Sequence, residues 1–113
     1  MVESMLNPYA SRAEALRSKS PQLVGDFVLY ATKDGGKHWP AWPGWGCLCR
    51  LGEGLDQPGY IAWPLLEEPL QPGDKRENVG FVFLSAEGAD VMRNAGKFYL
   101  WDSGLIGEVS VVD

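Results

Sequence analysis

At 113 residues the chain fits one domain, which at this size buries roughly two-thirds of its unfolded surface without metals or disulfides. Apolar residues at 45% and charged residues at 22% are ordinary globular values that exclude disorder, and 14 glycines with 8 prolines between short apolar runs point to a turn-rich β protein. The net charge of −5 weighs against a nucleic-acid binder, and no stretch approaches the roughly 18 apolar residues of a membrane span, so a soluble cytoplasmic protein is expected.

Asn7 before Pro8 reads as an N-cap followed by the first helical position, and the Ala-, Leu-, Arg- and Glu-rich run from Ala10 to Lys19 predicts a short helix ending near Ser20-Pro21. Residues 1–22 are therefore read as helix and lead-in, and 23–113 as the β domain. From Gly25 the texture changes to short aromatic or β-branched runs between Gly/Pro punctuation. The expected strands are Asp26 to Thr32, Trp45 to Leu51, Gly59 to Trp63, Val79 to Leu84, Lys97 to Trp101 and Leu105 to Val112. Between the fourth and fifth, Ala86 to Arg93 predicts one or two helical turns, with Ser85 as N-cap and Gly96 beyond the end. Asp102-Ser103-Gly104 predicts a tight hairpin joining the last two strands.

Three segments carry a resemblance. Lys33-Asp34-Gly35-Gly36-Lys37-His38-Trp39-Pro40 follows the strand-like Phe27-Val28-Leu29-Tyr30. Pro72-Gly73-Asp74 makes a turn, and Phe98-Tyr99-Leu100-Trp101-Asp102-Ser103-Gly104-Leu105-Ile106-Gly107 makes a closing hairpin. In order and spacing, from about Gly25 to Val112, these resemble the third, C-terminal domain of elongation factor Tu. The family's strand there runs through Gly-Gly-Arg/Lys-His-x-Pro, and its last hairpin reads Phe-x-Ile-Arg-Glu-Gly-Gly-x-x-Val-Gly. The resemblance implies an all-β, six-stranded antiparallel β-barrel, here with an added N-terminal helix.

It also implies a domain without catalytic activity, which in the family contacts the T stem of aminoacyl-tRNA and packs on other protein surfaces. Carried over residue by residue, the candidate RNA-facing positions are Lys37, His38 and Asp102. The Arg preceding the hairpin Glu is Trp101 here, and the family's Arg-Pro-Gln is replaced around Gly46-Cys47-Leu48. Those changes remove hydrogen bonds that position RNA. No GTPase domain of the family's kind is expected. Gly35-Gly36-Lys37-His38 also fails the Gly-x-x-x-x-Gly-Lys-Ser/Thr spacing of a phosphate loop, so no nucleotide is expected.

Cys47 and Cys49 lie two apart on an expected strand, share a face and are poorly placed for an unstrained disulfide, so two reduced thiols in a packing role are expected. His38 is the only histidine, and neither a metal nor another cofactor is expected. Asp34 beside His38 offers a carboxylate and a base, but there is no nucleophile elbow, and the reading preferred is that His38 holds the loop. The five tryptophans are the second notable feature. A filled barrel interior is expected to take two or three, while Trp39, Trp42 and Trp45, in a loop stiffened by Pro40 and Pro43, are the candidate contacts for a protein partner. Glu53, Asp56, Glu67, Glu68, Asp74, Glu77, Glu87 and Asp90 fall in expected loops. A small acidic protein with exposed aromatics suits a binder or an inhibitor of the immunity type. The leading expectation is thus non-catalytic recognition of a protein partner, and the alternative is binding of tRNA or other structured RNA.

Overall fold

The computed structural model describes residues 7–52 and 58–112. Of the acidic loop residues, Glu53 and Asp56 lie outside that range. In chain order the elements are helix α1 (Ala10–Leu16), β1 (Leu23–Leu29), a 3-10 turn (Thr32–Asp34), β2 (Cys47–Arg50), β3 (Gly59–Pro64), β4 (Lys75–Phe83), helix α2 (Ala86–Ala95), β5 (Lys97–Trp101) and β6 (Leu105–Val111). The strands close into one antiparallel barrel in the order β1-β4-β3-β2-β5-β6, with β6 returning to β1. A closed ring leaves no sheet edge to pair with other chains.

Side-chain alternation builds the interior. Along β1, Leu23, Gly25, Phe27 and Leu29 point inward and the residues between them are half-buried. Phe27, Phe81 and Phe98 are fully buried and form a ring contact chain, with centroids 5.9 and 5.7 Å apart, to which Phe83 adds an edge contact at 6.1 Å from Phe98. Edge-to-face and tilted pairs of this kind satisfy the ring quadrupoles while removing large apolar areas from water. Cys47 and Cys49 both face the interior as free thiols, and burial, with Cys47 alongside, pushes the Cys49 thiol pKa well up. Cys49 therefore stays protonated and packs as a small hydrophobe.

The helix between β4 and β5 is capped at both ends by the residues its sequence offers. Ser85 accepts a hydrogen bond from the Gly88 N–H at 3.1 Å, and Gly96 ends the helix at φ 81°. Its face of Gly88, Ala89 and Met92 is buried. The N-terminal helix is shorter than expected, ending at Leu16, and Asn7 caps only the preceding turn, its Oδ1 accepting from the Tyr9 N–H at 2.8 Å.

The strand boundaries differ most from the sequence expectation in β1 and β4. β1 starts at Leu23 and stops at Leu29, because Tyr30 and Ala31 lead into the 3-10 turn. β4 starts at Lys75, since its polar first half pairs with Phe27 and Val28 of β1 although it carries no apolar alternation. Between these halves Glu77 and Asn78 oppose the single residue Asp26, a bulge in which Asn78 takes φ 55° and donates its backbone N–H to Asp26 Oδ1 at 3.1 Å.

An ionic cluster ties the residue after β1 to the start of β5 and the middle of β6. Glu108 accepts from the Tyr30 hydroxyl at 2.8 Å and pairs with Lys97 at 3.1 Å. The Tyr30 hydrogen bond, aided by Lys97, holds the Glu108 carboxyl below its ordinary value of 4.5. The unfolded chain therefore binds more protons across the acid window, and this contribution is fully present above 4.5 and is lost as pH falls through the lower folded value. Glu108→Gln is expected to unfold with a flatter acid dependence than the wild type. Urea midpoints at neutral and acid pH measure it, and an unchanged slope would remove Glu108 from the acid response.

Candidate binding groove

The loop from β1 to β2 is shaped by close backbone approaches. The Gly36 N–H donates to the Ala31 carbonyl at 3.0 Å, and any Cβ at Gly36 would collide with the Tyr30 carbonyl oxygen. The paired glycines of the motif thus serve a tight return, after which the chain places Lys37 inward and His38 and Trp39 outward. Further on, Trp42-Pro43-Gly44-Trp45 forms a type II turn: the Trp45 N–H donates to the Trp42 carbonyl at 2.9 Å and Gly44 takes φ 92°. Gln71-Pro72-Gly73-Asp74 repeats it, with 3.0 Å from the Asp74 N–H to the Gln71 carbonyl.

Helix α1 docks on the first of these turns. A Cβ on Gly44 would lie 2.5 Å from the Tyr9 carbonyl oxygen, Asn7 Nδ2 donates to the Pro43 carbonyl at 3.0 Å, and an Arg12 Nη donates to the Gly44 carbonyl at 3.3 Å. The docked helix lays the Arg12 guanidinium 5.9 Å over the ring of Trp63.

The outer faces of three neighbouring strands complete the site. Leu48 of β2 stands directly between Ile61 of β3 and Trp101 of β5, and one pleat further on Arg50 reaches over the Trp101 ring at 5.1 Å. Gly46, one pleat back, leaves a bare floor across which the Trp63 indole lies. The result is an open groove of about 800 Å³, rimmed at one side by the Asp102–Gly104 hairpin and walled by the Arg12/Trp63 and Arg50/Trp101 pairs. Ile61 is 41% exposed in its floor. The indole Nε1 of Trp101 is buried there without a protein acceptor.

The sequence-nominated residues fall into separate environments. Lys37 and Asp102, from motifs far apart in the chain, meet at 3.3 Å, and the Lys37 ammonium sits 5.0 Å over the Trp45 ring. The Lys37 side chain is only 11% exposed, so its charge is committed inside the fold rather than offered to solvent. His38 is exposed on the loop, Trp39 is 74% exposed, and Trp42 is half-buried.

Trp45 departs from the expectation that it contacts a partner. It is 2% exposed, stacks on Phe27 at 6.5 Å with 9° between the rings, and donates its indole N–H to Asp102 at 3.4 Å. The Pro43-Gly44 turn reverses the chain so that Trp45 enters β2 on the inward phase shared by Cys47 and Cys49. The barrel interior consequently takes one tryptophan rather than two or three, and Trp63 and Trp101 stand on the outer face.

The arginines and aliphatic residues of the groove were not singled out by sequence. A signal exists: Gly46 to Cys49 and Tyr60 to Trp63 are apolar at successive positions, whereas a barrel strand with one wet face alternates apolar with polar. No cluster of His, Cys, Asp or Glu suited to a metal ion occurs among the described residues, and none of their helices is long and apolar enough to cross a membrane. No protein-family model matches the chain, and no curated protein is significantly similar to it.

Proposed function

We propose that the chain is a non-catalytic recognition module of the elongation factor Tu C-terminal type, and that it binds a protein partner through the groove over β3, β2 and β5. The observation that carries this reading is the pairing of two arginines with two tryptophans around an aliphatic centre at Leu48 and Ile61. Tryptophan and arginine are the residues most enriched at binding hot spots, and stacking fixes the guanidinium before a partner arrives, which lowers the ordering cost of association. The alternative of tRNA binding through Lys37, His38 and Asp102 is disfavoured by the internal pairing of Lys37 with Asp102.

Affinity capture from a native extract, with and without ribonuclease, separates the two. A protein recovered regardless of ribonuclease and lost with Leu48→Asp, which sets a carboxylate in the aliphatic centre, supports the reading. Recovery that ribonuclease abolishes, or that Leu48→Asp leaves intact, overturns it.

A further inference from the structure

Resting on the protein-recognition reading, we infer that α1 is a clasp for the groove, with Asn7 as the positioning residue that fixes it. Docked, the helix supplies the Arg12 side of the groove wall. A protein segment bound in the groove holds the helix down in turn.

Nothing within α1 explains why it is a helix. It has seven residues, none of them buried, and no side chain caps its N-terminus. A helix so short is unstable in water by itself, so its order comes from its contacts with the barrel. Those contacts converge on the Pro43-Gly44 turn. Asn7 bridges the two sides: its Nδ2 donates to the Pro43 carbonyl at 3.0 Å, while its Oδ1 accepts from the Tyr9 N–H at 2.8 Å, ahead of the first helical turn. Arg12 donates to the Gly44 carbonyl at 3.3 Å, and its guanidinium lies 5.9 Å from the ring centroids of both Tyr9 and Trp63.

Successive residues of α1 border different hollows. Arg12 lines the groove, whereas Ala13 and Leu16 line a second depression of about 240 Å³ whose other side is Pro64, Leu65 and Leu66. Along β3 the boundary falls between Trp63 and Pro64. The helix therefore stands as a ridge between two hollows, and none of its residues belongs to the core, so it lifts without opening the barrel interior. Lifting takes Arg12 off Trp63 and removes one wall of the groove. A ligand that touches this wall binds the docked form better, and by linkage it stabilises docking to the same extent.

The probes for the test are peptides selected from a random display library on the full wild-type chain, retained only if Leu48→Asp abolishes their binding. Hydrogen exchange is then followed at two amides. Ala13 donates to the Tyr9 carbonyl at 2.9 Å in α1, and Tyr30 donates to the Ile106 carbonyl at 2.8 Å in the barrel wall. Ala13 is expected to exchange faster than Tyr30, through lifting of α1 alone. Peptide at about ten times its Kd is expected to slow Ala13 about tenfold, since the lifted form must first release it. Asn7→Ala keeps every side chain that lines the groove, and it is expected to weaken the peptides roughly threefold to tenfold, the span of one lost hydrogen bond. A merely structural role for Asn7 would lower stability and leave peptide affinity unchanged. Ala13 exchange that peptide does not slow, or that occurs only with unfolding of the barrel, overturns the clasp and leaves the protein-recognition reading standing. Wild-type or tighter binding to Asn7→Ala does the same, tighter binding meaning that α1 obstructs the groove. Failure to enrich any peptide dependent on Leu48 overturns both.

Discussion

Phe27→Ala is expected to cost about 3–5 kcal/mol, the usual loss when a fully buried phenylalanine is truncated. Phe27 is 0% exposed and lies between two rings, Trp45 on one side and Phe81 on the other. It also belongs to β1, the strand that pairs with both β4 and β6, beside the bulge at Asn78. The interior is filled from every strand of a closed ring, so the wall has no free edge along which to collapse onto the cavity, and the full cavity penalty is expected. Against a typical domain stability of about 5–15 kcal/mol, this is enough to leave the barrel marginal. Urea unfolding followed by tryptophan fluorescence measures it, with Phe27→Leu expected to lose less. A loss under about 1 kcal/mol would mean that the wall relaxes around the missing ring and that the core is not packed as described.

The same substitution reaches the groove. Trp45 rests on Phe27 from inside the barrel, and its indole N–H extends to Asp102, on the hairpin that forms the groove's rim. A core residue and a surface loop are thus joined by one side chain.

The barrel strands were legible in the sequence because each has at least one stretch with inward apolar alternation bounded by Gly or Pro, and α2 because Ser85 and Gly96 mark its ends. The first half of β4 was not, since Lys75 to Asn78 has no apolar period and is held by pairing with β1. Local signals also did not decide which tryptophans turn inward. Trp-Pro-Gly-Trp reads as a turn, but the direction of Trp45 follows from the phase on which that turn delivers the chain into β2. The groove was the least legible part. Leu48, Ile61 and Trp101 become neighbours only through the register of β2 with β3 and β5, and Arg12 joins them only because α1 rests on Gly44. The motif residues Lys37 and Asp102 were visible as a pair of signatures, but their contact with each other depends on the fold.

That contact supports the second large expectation, which is that Asp102→Ala lowers stability by about 2 kcal/mol. Asp102 Oδ2 accepts from Lys37 Nζ at 3.3 Å and from Trp45 Nε1 at 3.4 Å, both longer than the common distance of about 2.9 Å for N–H···O, so neither bond is strong alone. What makes the site costly to break is what the carboxylate leaves behind. The Lys37 side chain is mostly covered, and its ammonium would keep only the Trp45 ring as a partner, while the indole N–H of a buried tryptophan would lose its acceptor. Asp102 itself is 43% exposed, which lets solvent reach part of the site and holds the expected loss below that of a fully buried pair. Asp102→Asn separates the contributions, because its amide oxygen still accepts from the indole while the charge is gone, and it should lose less than Asp102→Ala. Combining Lys37→Met with Asp102→Ala removes the stranded ammonium and should cost less than the two single losses added together. Equal and additive losses would show that Lys37 and Asp102 act independently. A loss for Asp102→Ala within about 0.5 kcal/mol would reduce the pair to an ordinary surface ion pair, which typically contributes 0 to about 1 kcal/mol. In that case the rim hairpin would be positioned by its own turn, through the Asp102 N–H bond to the Gly104 carbonyl, rather than by the barrel interior.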